Sequence, residues 1–234
     1  TYDLKIKENY VPITNFKTSL DLSKNNLKIT DEINLSYVGR LTDFKYYPLI
    51  KLLRTLDKLV LEKIIIPKIN FFIIGEGDFK NNLVKEIKKL NFKVCLIGEV
   101  DYSELSSIFI YHNININFSM GTSALDSACL GIPSVVLDYS YVEINGYPNY
   151  NWIYNEKDYS LTEELNSTHL SKELNFSLSS LIKETQCSYA EISKKTEDYY
   201  NKNYSINIIS DLLIKSLNNS SLEFNYISSF LKKS

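Results

Sequence analysis

The residues with the clearest chemical capacity stand in the segment MGTSALDSACLGIP, at positions 120–133, between two apolar segments. Gly121 is followed by the hydroxyl residues Thr122 and Ser123, a pattern typical of a glycine turn that opens a helix. The unpaired backbone N–H groups, hydroxyl donors and positive dipole end of such a helix favour a bound anion. Asp126 follows about one helical turn later, where its carboxylate could accept hydrogen bonds from sugar hydroxyls. The pattern therefore predicts a site for a nucleotide sugar or a similar phosphorylated ligand.

A pair of cations follows an earlier apolar segment. Gly39, Arg40 and Lys45 stand in the sequence YVGRLTDFK, directly after a predicted buried strand. Arg offers a planar fork for phosphate oxygens and Lys offers a mobile point charge, so the pair suits a diphosphate leaving group. Two ordinary surface cations on a solvated loop would have the same sequence. On this segment alone, the two interpretations are equally supported.

Two further glycine segments are weaker indications of a ligand. In IIGEGDF, the glycine pair that begins with Gly75 resembles a dinucleotide motif, but Lys80 stands where the third glycine is needed. A tight turn with Asp78 as the N-cap of the next helix explains the segment, and we reject a nicotinamide or flavin site. The turn at Gly98 and Glu99 could place backbone groups against a base. A capped turn into the next helix is the simpler explanation of those residues.

Composition limits the classes of protein and partner. At 234 residues and 44% hydrophobic content, including 18 Tyr and 11 Phe, the chain can form a globular α/β core. A net charge of -2 with scattered Lys and Arg argues against nucleic acid as a partner. The three cysteines lack CxxC or Cys/His spacing, so neither a disulfide framework nor a zinc site is predicted. Thiols of this kind suit a reducing compartment, and we expect a cytoplasmic protein, with peripheral association at the inner face of the membrane left open.

Apolar and amphipathic segments alternate from about residue 34, which is typical of a parallel sheet with crossover helices. We predict strands at 35–38, 70–74, 93–97, 114–118 and 134–137, and helices at 47–62, 79–90, 103–111 and 123–130. Four glycines then follow strands at the sheet edge where ligands of open α/β sheets bind: Gly39, Gly75, Gly98 and Gly121. The predicted fold class is α/β, a Rossmann-like three-layer parallel sheet with a C-terminal helical extension.

The same patterns divide the chain into three parts. Residues 1–32 are polar and weakly periodic, and are predicted to form a linker with an edge strand at 11–13. Residues 33–160 form the predicted Rossmann-like nucleotide-sugar-binding domain, which ends in an unusually aromatic loop at 138–154. Residues 161–234 are predicted to be wholly helical, with helices near 169–184, 189–201, 206–217 and 222–232.

Taken together and in this order, the glycine, cation and Gly-Thr-Ser segments resemble the carboxyl-terminal nucleotide-sugar-binding domain of GT-B glycosyltransferases. The closest resemblance is to the large glycosyltransferase group 1 (family 4) type. It extends from about residue 11, which is similar to the interdomain linker, to the helix near residue 205. The resemblance therefore covers most of the chain.

The resemblance implies roles for individual residues. Arg40 and Lys45 match the basic pair that contacts the donor's phosphates, and Asp126 matches the acidic residue that usually binds the nucleotide ribose. The other matched positions are the turn and helix start at the diphosphate, followed by residues of other donor-site loops: Gly121, Thr122, Ser123, Gly75, Gly98 and Glu99. No catalytic residue is assigned.

Two departures from the family pattern concern the sugar end of the site. The family normally has Glu where this chain has Asp126, so the carboxylate reaches less far. The family's upstream Glu, on a longer Gly-rich loop, has no counterpart, because Ser119 runs directly into Met120 and Gly121. In retaining members that Glu lies beside the donor sugar. The stereochemistry and the sugar therefore stay open, while nucleotide binding is unaffected.

The resemblance implies that the chain is the donor-binding half of a glycosyltransferase. The expected reaction transfers a sugar from a nucleotide-activated donor to a glycan or lipid-linked acceptor in cell-surface polysaccharide synthesis. An amino-terminal acceptor domain or partner subunit would supply the acceptor side. No cofactor or metal is required, because Arg40, Lys45 and the helix dipole can stabilise the leaving diphosphate. The alternatives are another GT-B enzyme, such as a nucleotide-sugar epimerase or polyol-phosphate transferase, and a non-catalytic nucleotide-binding or scaffolding domain.

Overall fold

The computed structural model describes residues 32–64, 68–156, 160–165, 170–174 and 177–218. Five strands form the central sheet: β1 (Glu32–Val38), β2 (Lys68–Ile74), β3 (Lys93–Gly98), β4 (Ile116–Ser119) and β5 (Ser134–Val136). Their order is β3-β2-β1-β4-β5, and every neighbouring pair is parallel. Two short strands, β6 (Tyr147–Pro148) and β7 (Leu170–Ser171), form a separate antiparallel pair.

The described helices are α1 (Asp43–Leu61), α2 (Lys80–Ile87), α3 (Leu105–Tyr111), α4 (Thr122–Ala128), α5 (Ser177–Asn203) and α6 (Ile206–Asn218). A 3-10 turn, Tyr102–Glu104, precedes α3. Helix α5 is broken at Ser188, where φ is −140° and ψ is 34°. None of these helices combines the length and apolar character that a membrane span requires.

The helices cover both faces of the sheet. Alternate side chains of a strand point to opposite faces, so each strand buried on both faces contributes to two clusters. Phe71 and Ile73 of β2 lie in a cluster with α1 and the first half of α5. Phe72 and Ile74 lie in a second cluster with α3, α4 and Tyr200 near the end of α5. The predicted three-layer α/β class is confirmed.

The five predicted strands and the four helices predicted between residues 47 and 130 are confirmed, with shifted ends. The largest shift at a helix start is in α1, which begins at Asp43 and carries Pro48 inside it. Because proline has no N–H, the carbonyl of Phe44 lacks its helical donor. The Ser140 N–H donates to that carbonyl instead, at 3.0 Å. The loop after β5 is thereby fixed to the first turn of α1.

The prediction that residues after 161 are wholly helical is wrong. The Leu161 carbonyl accepts a hydrogen bond from the Gly121 N–H at 2.9 Å, and the Tyr139 N–H donates to the Glu163 carbonyl at 2.8 Å. Residues 170 and 171 form β7 rather than the start of a helix. Backbone pairing with distant loops outweighs the local helical pattern here.

The two helices predicted at 169–184 and 189–201 correspond to the two halves of α5, which meet at the non-helical residue Ser188, although the first half begins later, at Ser177. The helix predicted at 206–217 is confirmed as α6. The edge strand predicted at 11–13 and the helix predicted at 222–232 lie outside the described residues. The division of the chain at residues 32 and 160 stays a prediction.

Candidate functional site

Strand register brings two of the predicted phosphate-binding segments together. Val38, the last residue of β1, pairs with Ser119, the last residue of β4. Arg40 and Gly121 each follow two residues after this pair, and neighbouring strands are roughly 4.8 Å apart. The loop with Arg40 and the turn at Gly121 therefore leave the sheet side by side at its carboxyl edge.

Two glycines allow the loops after β1 and β2 to touch. A Cβ atom at Gly75 would lie 2.1 Å from the Gly39 carbonyl oxygen, and one at Gly77 would lie 2.5 Å from the Leu41 carbonyl oxygen. Any larger residue would push the two loops apart. The glycine pair thus accounts for the packing of the loop that carries Arg40.

The predicted N-cap at Asp78 is wrong. Helix α2 begins at Lys80, and the residue before it, Phe79, has no side-chain cap bond. Its backbone N–H instead donates to the Leu41 carbonyl at 3.1 Å. Contact with the neighbouring loop, rather than a carboxylate cap, fixes the start of this helix.

Arg40 and Lys45 lie close enough to repel each other. Arg40 is exposed, and neither side chain has an ion-pair partner within the described ranges. Burial and, second, the positive charge of Arg40 lower the pKa of Lys45. The Lys45 ammonium also lies 5.7 Å from the centroid of the Phe44 ring. Two uncompensated cations of this kind are stabilised when an anion binds to both of them.

An aromatic cluster stands beside Lys45. The Phe44 ring centroid lies 6.0 Å from that of Tyr139 and 5.8 Å from that of Tyr141. Tyr141 is 56% exposed, although the Ser140 hydrogen bond to α1 fixes its loop. The sequence showed an aromatic loop, but its place against α1 depends on the carbonyl that Pro48 leaves unpaired.

The start of α4 has part of the predicted anion-binding geometry. Gly121 has φ 64° and ψ −143°, a conformation that favours glycine, and a Cβ there would meet nothing within 4 Å. Its N–H is already bound to the Leu161 carbonyl. The N–H groups of Thr122 and Ser123, in the first turn, have no acceptor within a helix. An anion at this edge would therefore meet Thr122 and Ser123 rather than the N–H of Gly121.

Asp126 lies one turn into α4 and is partly exposed. The Tyr102 hydroxyl donates a hydrogen bond to its Oδ1 at 3.0 Å. Tyr102 stands on the turn between β3 and α3 and is 50% exposed. Our sequence reasoning missed this residue, because its contact with Asp126 joins segments that are 24 positions apart.

A buried polar network lies beneath α4. Asn117 Nδ2 donates to Ser127 Oγ at 2.9 Å, and Ser36 Oγ donates to Asn117 Oδ1 at 2.8 Å. The hydroxyl oxygens of Ser127 and Ser134 are 2.7 Å apart. All four side chains are fully buried. Because the network joins β1, β4, β5 and α4, it fixes the position of α4 on the sheet.

The other residues predicted to line the donor site are Gly75, Gly98 and Glu99, and some of their backbone groups already form hydrogen bonds within the protein. The Gly75 N–H donates to the Gly98 carbonyl at 2.7 Å, so these two groups are engaged with each other. A Cβ atom at Gly98 would lie 3.2 Å from Glu76 Oε1, which accepts a hydrogen bond from Lys80 Nζ. Glu99, next in the chain, is exposed. These loops are held together at the β2 and β3 end of the same edge.

One carboxyl group near the end of β5 titrates close to neutral pH. Burial, aided by Asp138 and Glu163, raises the pKa of Glu156 to about 7. The Glu163 N–H donates to Asp138 Oδ1 at 2.9 Å, which keeps the two segments together. A carboxyl group of this kind can exchange a proton at physiological pH. No local sequence pattern indicated that these three residues would meet.

The connection between β4 and α4 consists of Met120 and Gly121 alone. No residue of this two-residue connection carries a carboxylate. In the part of the chain that the structure describes, no group of three His, Cys, Asp or Glu residues is arranged to hold a metal ion.

Comparisons with known proteins agree with the fold. The family model described as "Glycosyl transferases group 1" matches residues 20–190. No curated protein gives a significant match. Among solved structures, a point mutant of S. aureus TarM in complex with fondaparinux, alpha-GlcNAc-glycerol and UDP has a TM-score of 0.58 and 21% sequence identity. That match covers 89% of this chain and 39% of the TarM chain.

Two further solved structures have the same fold. The GtfA/B complex has a TM-score of 0.53 and 14% identity, with 80% of this chain and 35% of that chain covered. The OtsA apo structure has a TM-score of 0.52 and 14% identity, with 86% and 47% covered. The chain therefore spans less than half the length of each of these proteins.

Proposed function

Because the chain belongs to the glycosyl transferases group 1 family, we propose that it is the donor-binding half of a GT-B glycosyltransferase, which holds a nucleotide-activated sugar. The observation that carries this proposal is the pair Arg40 and Lys45, two cations without a carboxylate partner in the described ranges. The loop that carries Arg40 leaves the sheet beside the Gly121 turn, and the N–H groups of the first turn of α4 follow that turn. The UDP in the TarM complex supports a nucleoside diphosphate as the ligand.

In this proposal the donor's diphosphate lies between the cation pair and the start of α4. Arg40 and Lys45 contact its oxygens, and the N–H and hydroxyl groups of Thr122 and Ser123 donate to it after the Gly121 turn. Asp126 accepts hydrogen bonds from the ribose hydroxyls. The base lies toward the loops that hold Gly75, Gly98 and Glu99.

The proposed reaction is electrostatic on the donor side. An acceptor hydroxyl attacks the anomeric carbon, the bond from that carbon to the diphosphate oxygen breaks, and the electron pair stays on the diphosphate. Arg40, Lys45 and the helix start stabilise this growing negative charge, which is the part otherwise taken by a metal ion. The acceptor half supplies the group that takes the proton from the attacking hydroxyl.

The proposed acceptor is a glycan or lipid-linked glycan in cell-surface polysaccharide synthesis. The proposed place of action is the cytoplasm, at the inner face of the membrane. An amino-terminal acceptor domain, or a partner subunit, would face the carboxyl edge near Arg40, Gly75 and Thr122. The alpha-GlcNAc-glycerol in the TarM complex supports a glycosylated acceptor or product at an enzyme of this fold.

Isothermal titration with UDP, GDP and their nucleosides tests the phosphate site. At least one diphosphate should bind more tightly than its nucleoside, because the cations and the helix start contact only the phosphates. Arg40→Ala should weaken diphosphate binding by roughly 1.5 to 3 kcal/mol, about 10- to 150-fold, as for loss of a charge-assisted hydrogen bond.

Lys85→Ala is the control, because Lys85 is an exposed cation on α2. It should leave the affinity within about twofold, as expected for a surface charge away from the ligand. Equal affinity for nucleoside and diphosphate, or equal losses in both variants, would contradict the proposal.

A transfer assay tests the donor-half assignment. The 234-residue protein should bind its nucleotide sugar but transfer it to lipid or oligosaccharide acceptors only when an amino-terminal acceptor half is added. A panel of UDP-, GDP- and CMP-sugars, run with and without that half, gives the comparison. Efficient transfer by these residues alone would show that the catalytic groups lie within them.

A further inference from the structure

Tyr102 and Asp126 join two parts of the molecule that are distant in sequence. The hydroxyl of Tyr102 donates to Asp126 Oδ1 at 3.0 Å, across a separation of 24 positions. Tyr102 follows β3, at one end of the sheet, whereas Asp126 follows β4, with β2 and β1 between those strands. The hydrogen bond therefore joins the segment that follows β3 to the helix that follows β4, at the carboxyl edge of the sheet.

Each of the two residues in this hydrogen bond is close in sequence to residues that are buried in the core. Leu105 and Ser106, directly after the Tyr102 turn, are 5% and 3% exposed and fix the start of α3 in the core. Ser127, directly after Asp126, is fully buried and hydrogen-bonded to Asn117. Neither residue is on a freely moving loop, so the distance between hydroxyl and carboxylate is set by the framework.

The chemistry of the pair suits a diol ligand. A carboxylate offers about four acceptor positions, and the Tyr102 hydroxyl takes one of them on Oδ1. A donor on one oxygen fixes the orientation of the carboxylate, which otherwise rotates about its own bond. The other acceptor positions then have a fixed direction, as vicinal hydroxyl groups of a ribose require. Tyr102 is 50% exposed, so its ring remains at the surface beside this position.

We propose that Tyr102 is a positioning residue for ribose recognition: its hydroxyl fixes the Asp126 carboxylate so that this group selects a nucleotide with both ribose hydroxyls. The inference rests on the proposed function, because it assumes that a nucleoside diphosphate binds at this edge. It adds a residue that the family resemblance does not assign. It also adds a measurable property, discrimination between ribose and 2′-deoxyribose.

The test compares UDP with 2′-deoxy-UDP, and GDP with 2′-deoxy-GDP, by isothermal titration of the 234-residue protein. The wild-type protein should prefer the ribonucleotide by about tenfold, as for one hydrogen bond to a charged group. Tyr102→Phe removes only the hydroxyl and should reduce this preference to about threefold or less. Its affinity for inorganic pyrophosphate should not change, because the phosphates do not contact Tyr102.

Tyr111→Phe is the matched control. Tyr111 ends α3, the helix that follows the Tyr102 turn, is 83% exposed, and lies against His112 rather than Asp126. Loss of its hydroxyl should leave the ribose preference unchanged. A second comparison uses Asp126→Ala, in which Tyr102→Phe should have no further effect on ribonucleotide affinity, because the group that it positions is gone.

The outcomes separate this inference from the proposed function. If the diphosphates bind and Arg40→Ala weakens them, but Tyr102→Phe keeps the full ribose preference, the proposed function stands and Tyr102 has no positioning role. An undiminished effect of Tyr102→Phe in the Asp126→Ala background also overturns the inference. If neither the nucleotides nor pyrophosphate bind to the wild-type protein, both proposals are wrong.

Discussion

Helix α1 carries cations in two contrasting situations. Arg54, in its middle, donates to Glu86 at 2.8 Å and to Glu143 at 2.7 Å, and the hydrogen bond to Glu86 is the main cause of its raised pKa. Lys45, in the first turn, has Arg40 for a neighbour, and burial together with that charge lowers its pKa. Two carboxylates compensate the first cation, whereas the second has no carboxylate partner among the described residues.

The same contrast extends along the helix. Lys58 donates to the Tyr147 hydroxyl at 3.1 Å, and the Lys51 ammonium lies 4.3 Å from the centroid of the Tyr147 ring. The fold itself thus supplies both cations with a partner, Tyr147 on β6. A cation that is partly buried next to another cation costs stability, and perturbed cations of this kind cluster at functional sites. The difference between the two ends of α1 therefore separates structural cations from candidate binding ones.

The prediction with the largest expected effect is that the cations at the start of α1 contribute to ligand binding and that Arg54, in the middle of α1, does not. Removing both binding cations, with Arg40→Ala and Lys45→Ala together, should weaken binding of a nucleoside diphosphate at least about 100-fold, because two charge-assisted contacts are lost. Arg54→Ala should change the affinity less than about twofold, since its charge is already neutralised by two carboxylates. Isothermal titration measures both. Equal losses in the two variants would remove the distinction.

The second prediction tests the contrast through stability, without any ligand. Arg54→Met should lower the free energy of unfolding by about 1 kcal/mol, because it leaves the Glu86 and Glu143 carboxylates without their shared partner. Lys45→Met should leave stability unchanged or raise it, because a partly buried cation beside Arg40 is removed. Urea unfolding gives the two values.

Lys89→Met is the control for this pair. Lys89 also contacts Glu86 but its side chain is 67% exposed. It should alter stability by less than about 0.5 kcal/mol. A Lys45→Met variant as destabilised as Arg54→Met would mean that Lys45 has a structural role comparable to that of Arg54.

The smallest effect concerns pH. Because the pKa of Lys45 is lowered in the free protein, Lys45 loses its proton at a lower pH than an ordinary lysine, and a bound diphosphate restores the charge. Binding should therefore take up protons at alkaline pH, and the affinity should fall about two- to fivefold between roughly pH 7.5 and 9.5. Lys45→Arg keeps its charge throughout and should show a flatter profile. Protonation of the ligand affects the wild-type protein and the Lys45→Arg variant equally. Identical dependence of affinity on pH in the two proteins would therefore contradict the prediction.

Much of the fold follows from local patterns. The apolar strands, the glycines after them and the amphipathic helices between them are periodic over short segments, which is why their existence and order were predictable. The first helix shows the limit of such patterns. It was predicted to start at residue 47, whereas α1 starts at Asp43 and contains Pro48, and the Ser140 N–H donates to the Phe44 carbonyl that the proline leaves unpaired.

The candidate site also contains some residues that could be predicted from the sequence and others that could not. The residue types in the Gly121, Thr122 and Ser123 turn and the cations at Arg40 and Lys45 can be found from sequence, because their chemistry is local. Tyr102 could not be placed, because its contact with Asp126 depends on how α3 and α4 pack on one face of the sheet. The bond between the Gly121 N–H and Leu161 was equally hidden, since the segment around Leu161 resembles the start of a helical region.

The sequence by itself determined the α/β alternation, the cation pair and the hydroxyl-rich helix start, since each lies within a few neighbouring residues. Only the tertiary structure decided that Val38 pairs with Ser119, which sets Arg40 beside Gly121. Only the tertiary structure decided that Arg54 is compensated and Lys45 is not. The physical reason is that pairing and charge compensation are contacts between distant segments, and local periodicity carries no information about which distant partner a side chain meets.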